Sequence, residues 1–228
     1  MVVATHQPIF LPWPGLFFKA AKADVLVLLD RVQFPLGRGW MTRNRLKSEQ
    51  GELWLRVPVH KKGRGLQRID EVELFEAADW RGKHLRGVRQ NYARAPYLED
   101  YLPQLRAIYE ADHRRLVDLN LALIRFLLTA LNLDVDLRLQ SQLGVQGRGT
   151  ALLVHVCEAV GARSYLAFPT LQKYLDVPQM QAAGLNVQFV PFQPPVYPQL
   201  WGDFIYNLST LDLLLNCGPR SREILRRC

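Results

Sequence analysis

The segment VVATHQPIFLPWPGLFFKAAKADVLVLLD, residues 2–30, constrains the fold more than any other part of the chain. Residues 2–5 are a short apolar run, residues 13–23 (WPGLFFKAAKA) space their apolar side chains as a helix does, and DVLVLL from Asp24 is apolar without alternation. A strand that is apolar on both faces is buried on both, the habit of parallel sheets covered by helices, so the spacing predicts a βαβ opening. Between the first strand and the helix, Pro8, Pro12 and Pro14 stiffen the backbone, and Gly15 permits a tight turn or close approach. The connection lacks the glycines of a Walker or G-x-G-x-x-G phosphate loop.

Beyond this opening, RLKSEQGELWLRVPV reads as two extended pieces around Gln50 and Gly51, and IDEVELFE as a further alternating strand. From Trp80 to about Leu131 the pattern is helical, interrupted at Pro96 and softened at Pro103, which predicts three helices. Strand and helix then alternate: DVDLRLQ, a helix through TALLVHVCEAVG closed by Gly161, SYLAF, a helical stretch near LQKYLDVPQMQAAG, LNVQFVPF, and a last helix from Ser209. Ser209 and Asp212 fit a capping box, with Gly218 and Pro219 as the stop. The expected architecture is one α/β domain over residues 1–228, doubly wound with a mostly parallel sheet, an antiparallel hairpin excursion near residues 35–76 and a helical insert near residues 80–131.

Widely spaced Cys157, Cys217 and Cys228 have no C-x-x-C partner and no histidine at zinc spacing, so reduced thiols and no metal site are expected. The longest apolar stretch, LNLALIRFLLTALNL, holds Arg125 at its centre and is too short for a membrane span. With no leader pattern at the N-terminus, a cytoplasmic protein without membrane insertion is expected. The formal charge of +8 suits nucleic acid, and equally a phosphorylated or nucleotide-linked small molecule.

In open α/β sheets ligands sit outside the carboxyl ends of the strands. His6 and Gln7 follow the first strand, Asp30 and Gln33 the second, and Tyr197 and Gln199 a later one. The predicted hairpin carries Arg38, Arg43, Arg45, Lys47, Arg56, Lys61, Lys62 and Arg64 among Trp40, Asn44 and Trp54, followed by the acids Asp70 to Asp79. Arginine forks grip phosphate bidentately, so this hairpin could close over an anionic substrate. Lys61, Lys62 and Arg64 read better as solvated hairpin residues. A second basic run, Arg81, Lys83, His84, Arg86, Arg89 and Arg94, marks one helical segment and gives the nucleic-acid alternative its surface.

Taken in order, HQPIFLPWPGLFFKAAKADVLVLLDRVQF, WMTRNRLK, GELWLRVPV, HLRGVRQNYARAPYLEDYLPQL and VYPQLWGDFIYNLSTLDLLLNCG resemble the WbqC-like family of bacterial proteins. The resemblance implies a place in O-antigen or other surface-polysaccharide biosynthesis, with acyl or aminoacyl (glycyl-type) transfer onto an amino sugar as one role. The family pattern lands on His6, Gln7, Pro8, Gly15, Lys19, Asp30, Gln33, Trp40, Arg43, Asn44, Lys47, Tyr174, Tyr197, Gln199, Asp212 and Asn216. Two departures stand out: AFPTLQKYLD in place of a Gly- and Ser-containing loop, and Met41 and Thr42 in place of a Gln-Asn pair. The opening is also similar to that of nucleotidyltransferase-type folds and pantothenate-synthetase-like ligases, which use ATP, although their second signature histidine is missing here.

The expected function is a transferase acting on a polar, nucleotide-linked amino sugar or amine, with ATP or an activated acyl donor. His6, Asp30 and Lys19 form the expected catalytic group, His6 as a general base titrating near neutrality. Gln7, Gln33, Trp40, Arg43, Asn44, Lys47, Tyr174, Tyr197, Gln199 and Asn216 are the expected substrate-binding residues. A tRNA-binding module, an ATP-dependent ligase and a non-catalytic assembly protein are the alternatives.

Overall fold

The computed structural model describes all residues of the chain except Leu36, Arg38, Ala77 and Ala78, so the expectation for Arg38 lies outside the described residues. Strand β1 (Val2–His6) leads through α1 (Pro14–Ala20) to β2 (Val25–Leu28). An antiparallel hairpin follows, β3 (Arg43–Ser48) and β4 (Gly51–Arg56), and then helices α2 (Trp80–Asn91), α3 (Leu98–Glu110) and α4 (Leu116–Ala130). Thereafter come β5 (Asp136–Leu139), the single turn α5 (Gln140–Leu143), α6 (Gly149–Val160), β6 (Ser164–Ala167), α7 (Val177–Ala182), β7 (Asn186–Phe189), α8 (Thr210–Cys217) and α9 (Ser221–Arg226).

The main sheet runs β5-β2-β1-β6-β7, and every neighbouring pair is parallel. In chain order its strands stand third, second, first, fourth and fifth, so the direction of winding reverses between β1 and β6. Parallel crossovers are right-handed, hence helices on strokes in opposite directions cover opposite faces. The burial pattern agrees. Ala4, Leu26, Leu28 and Leu166 face α1, α4, α8 and α9, whereas Val3, Val25, Val27, Tyr165 and Ala167 face α6 and α7. Among the described residues no helix is long and apolar enough to cross a membrane.

The insert between β2 and β5 forms the three expected helices but departs from expectation at IDEVELFE. In place of a strand, Ile69–Glu71 make a 3-10 turn, and pairing is limited to single bridges such as Val59 with Leu74 and Glu73 with Arg115. The segment divides its backbone bonds among several partners: Ile69 N–H to Val32, Asp70 N–H to Asp30, Leu74 N–H to Arg114 and Phe75 N–H to Pro58. No single neighbour runs alongside it long enough for a ladder. The capping box at α8 is also revised. Ser209 Oγ accepts from Leu211 N–H at 3.2 Å, but the Asp212 carboxylate takes the hydroxyls of Tyr92 and Tyr197 instead. Met41, one departure from the family pattern, fills the core, 2% exposed.

The connection from β1 to α1 turns away from the sheet and enters the space between the hairpin, α4 and α8. Its carbonyls leave water there and require donors. Asn44 Nδ2 donates to Phe10 O at 3.2 Å and Leu11 O at 2.7 Å, and Asn120 Nδ2 donates to Pro8 O at 2.8 Å and Met41 O at 3.0 Å. Thr210 N–H reaches Pro12 O at 2.8 Å, and Phe10 N–H reaches Trp40 O at 3.0 Å. Removing the Asn44 amide in Asn44→Ala abandons two buried acceptors. At about 1–3 kcal/mol for each, the variant should lose about 2–6 kcal/mol in urea denaturation; a loss near zero would show that water replaces the amide.

His84 is packed against Trp80 and Tyr109, accepts from Arg56 N–H at 3.0 Å through Nε2, and is pushed down to about 4 by burial. Its folded pKa lies below the ordinary 6.5, so the unfolded chain binds more protons. Stability present above pH 6.5 is therefore lost on acidification towards pH 4. Urea midpoints measured across that window should fall less steeply for His84→Gln than for the parent.

Candidate functional site

His6 ends β1, the central strand beside the reversal in winding, and the next seven residues build the site wall. Leu11 has φ of 42°, a conformation costly for leucine, and it precedes Pro12, which narrows its choices further. The Asn44 and Thr210 bonds hold this backbone in place. Pro14 occupies the first position of α1, where its fixed φ suits the helix and no N–H is lost. At Gly15 an added Cβ would lie 2.2 Å from the Trp13 ring, so the indole folds down on the helix because that residue is glycine.

Trp13, Trp40, Asn44, Arg45 and Asn207 enclose a cavity of about 260 Å³. Trp40 is 47% exposed and stacks on Trp54 with ring centroids 6.0 Å apart. The opposite rim comes from the irregular stretch before α8, where Trp201 and Asn207 have φ of 61° and 55°. Three of the four non-glycine residues with positive φ among those described, Leu11, Trp201 and Asn207, lie in the two loops that shape this region. Strain of this kind persists where surrounding contacts over-determine the backbone, and it gathers at functional sites. Trp13 also packs on Phe168 (5.8 Å) and Phe192 (5.1 Å), which connects the cavity to the crevice between β1 and β6.

In that crevice Lys19 Nζ lies 5.1 Å from the Phe168 ring centre and donates to Thr5 O at 2.6 Å. Burial lowers its pKa to about 8. His6 Nδ1 lies 2.8 Å from Gln7 O, a pure acceptor, so Nδ1 carries the proton and Nε2 keeps its lone pair. Burial, then the Lys19 charge, drives the imidazole down to about 3, against the raising effect of that carbonyl bond. The expectation that His6 titrates near neutrality is therefore corrected: the ring stays neutral, and Lys19 is the group poised close to neutral pH.

The other expected site residues are dispersed. Asp30 is buried, and its carboxylate accepts from Ser141 N–H (2.9 Å) and Oγ (2.5 Å), so it ties β2 to α5. Gln7 is half-buried beside His6, whereas Gln33 is exposed and lines a separate cleft with Arg31, Arg68 and Arg148. In that cleft Asp70 and Glu71 pair with Arg31 and Arg68. Lys47 is 2% exposed, its Nζ 3.5 Å from Gly202 O, and its charge opposes the rise that burial imposes on the Asp212 carboxyl. Tyr197 belongs to the same buried network and donates to Asp212 at 2.8 Å. Gln199 closes its own loop through Ile205, and Asn216 bonds back to Asp212 O within α8. Tyr174 is 71% exposed and does not line the cavity. Arg43 sits on Trp54 and lines a different cavity.

The structure thus brings Trp40 and Asn44 together with Trp13, Arg45 and Asn207, which residue spacing did not single out. The Pro14-Gly15 pair after Trp13 was the available signal for the first of these. Arg45 differed in no visible way from its basic neighbours, and Asn207 enters only because its loop returns to the hairpin, where Arg45 donates to Tyr206 O at 3.1 Å.

The sequence profile of the WbqC-like protein family matches residues 7–224, and the chain belongs to that family. It is 32% identical to "Uncharacterized protein Rv1507c" of Mycobacterium tuberculosis, over 99% of this chain and 98% of that one. No solved structure matches the chain.

Because the Lys19 charge helps to depress His6, Lys19→Met should raise the His6 pKa from about 3 while burial keeps it below 6.5. An NMR titration of the His6 ring protons reads this directly. An unchanged midpoint would mean that the two groups do not interact.

Proposed function

We propose that this member of the WbqC-like family is a group-transfer enzyme that acylates or aminoacylates the amine of a polar, nucleotide-linked sugar or similar acceptor in polysaccharide or specialised-metabolite biosynthesis. The observation that carries the reading is a cavity with indole walls and amide and guanidinium edges, connected through Trp13 and Phe168 to the buried Lys19 of α1, whose charge acts on the neutral His6 at the end of the central strand. Family membership is consistent with an enzyme-like biosynthetic role. Flat aromatic walls suit the apolar faces of a ring, while Arg45 and Asn207 suit its polar edge.

In this reading the acceptor amine donates a hydrogen bond to His6 Nε2. Its nitrogen attacks the carbonyl carbon of the activated donor, the C–N bond forms, and the bond to the leaving group breaks with its electron pair. The amine proton passes to Nε2. Burial makes the imidazolium short-lived, so the proton moves on to the leaving group. Lys19, already donating to Thr5 O, has two further protons in its charged form for negative charge that develops on the carbonyl oxygen. Both an ATP-derived adenylate and another activated acyl donor satisfy this scheme.

The nucleic-acid alternative is weakened by charge pairing along α2: Arg81 is engaged by Glu76, Arg86 by Asp79 and Arg89 by Glu99. Calorimetric titration with nucleotide-linked amino sugars, followed by mass detection of the acylated product, tests the proposal. Trp40→Ala should weaken binding about tenfold, and His6→Gln should bind normally but transfer about 10²- to 10⁴-fold more slowly. Absence of binding by the parent, or parental behaviour in both variants, would refute it.

A further inference from the structure

The antiparallel register places Arg43 directly opposite Arg56. Like charges facing each other across a ladder are unfavourable and are ordinarily relieved by an acid nearby. Among the described residues none is supplied: Arg43, Arg56 and Lys61 form no ion pair, although ten other pairs involving Arg occur. Glu76 and Asp79, the acids that precede Trp80 in sequence, are taken by Arg81 and Arg86.

These three cations line one cavity of about 490 Å³ together with Thr42, Pro58 and Trp80. Two of the cations rest on aromatic rings. The Arg43 guanidinium carbon lies 4.9 Å from the Trp54 ring centre, and Lys61 Nζ lies 5.0 Å from that of Phe34. Arg43 and Trp80, which line the same cavity, each carry a buried donor, Nε and Nε1, with no hydrogen-bond partner among the described residues, and Trp80 is only 4% exposed. Buried donors without acceptors are costly and call for an explanation. A guanidinium pair and an ammonium, with no acceptor charge among them, are complementary to a multiply charged oxyanion with several acceptor oxygens.

We infer that this cavity binds the phosphate or diphosphate group of a ligand. The assignment rests on the transfer reading only for the remainder of that ligand. Trp40 borders the 260 Å³ cavity and stacks on Trp54, which carries Arg43, so the sugar ring of a nucleotide-linked acceptor on one side of the indole pair places its diphosphate on the other.

The test is titration of the full chain at low salt with inorganic pyrophosphate and, in parallel, citrate. Pyrophosphate should bind and raise the melting temperature, citrate should bind more weakly, and Arg56→Gln and Lys61→Gln should each weaken pyrophosphate binding about tenfold. Free Arg56→Gln should melt higher than the parent because the facing charge is gone; a merely structural arginine would lower the melting temperature and leave pyrophosphate binding unchanged. The inference is overturned if pyrophosphate does not bind, if both variants bind it as the parent does, or if citrate binds equally well. Pyrophosphate binding with the expected variant effects, alongside failure to bind any nucleotide-linked sugar, would uphold this site and refute the transfer reading.

Discussion

Two buried carboxamides hold the structure around its central strand. The chain leaving β1 does not pass over the surface but enters the space between hairpin and helices, where each carbonyl would otherwise be stripped of water. Asn44 and Asn120 satisfy three of them, those of Pro8, Phe10 and Leu11, and Thr210 N–H satisfies another, that of Pro12. One amide comes from the hairpin and the other from α4, so the insert between β2 and β5 is needed for the β1 connection to adopt its shape. The strained Leu11 and the Trp13 wall depend on that support, and the cavity depends on both.

A second polar network does for the C-terminal region what the amides do for the first loop. The Asp212 carboxylate receives hydroxyls from Tyr92 at the end of α2 and Tyr197 in the proline-rich loop, while the Tyr92 hydroxyl accepts from Lys47 N–H at 2.8 Å. Burial raises the pKa of all three acidic groups, and the two tyrosine bonds restrain the rise at Asp212. Hairpin, helical insert and last helices are thereby joined through charge-assisted bonds in a place where water is excluded. The loop that carries Asn207 is fixed by the same joint and by Trp201, whose indole donates to Asn91 O at 2.9 Å.

The net charge of +8 is distributed unevenly in a way composition hides. Along α2 and in the cleft at Arg31 and Arg68, acids meet the arginines, and those surfaces are close to balanced. On the hairpin, Arg43 and Arg56 are left facing each other, with Lys61 on the same cavity. Arg43 had been expected at a phosphate, and its placement keeps that expectation open in a cavity separate from His6. Lys61 had been read as a solvated hairpin residue; it is exposed and also borders that cavity.

Periodicity alone determined the βαβ opening, the parallel strands, the hairpin turn at Gln50 and Gly51, the three inserted helices and the stops at Gly161 and Gly218, because burial on one face or two leaves a local pattern. It misread IDEVELFE, whose alternating side chains would suit a ladder but whose backbone partners come from three separate segments. Position past a strand end picked out His6, and the basic aromatic hairpin picked out Trp40 and Asn44, which line the cavity. The same rule could not tell that Asp30 would spend its carboxylate on Ser141, or that Asn44 would act chiefly as a clamp. Nor could it give protonation. An isolated histidine titrates near neutrality and an isolated lysine far above it, and only their shared burial, with Lys19 beside His6, moves one to about 3 and the other to about 8. Local sequence fixes which residues can do chemistry; desolvation and neighbouring charge, which exist only after distant segments meet, decide which of them hold a proton.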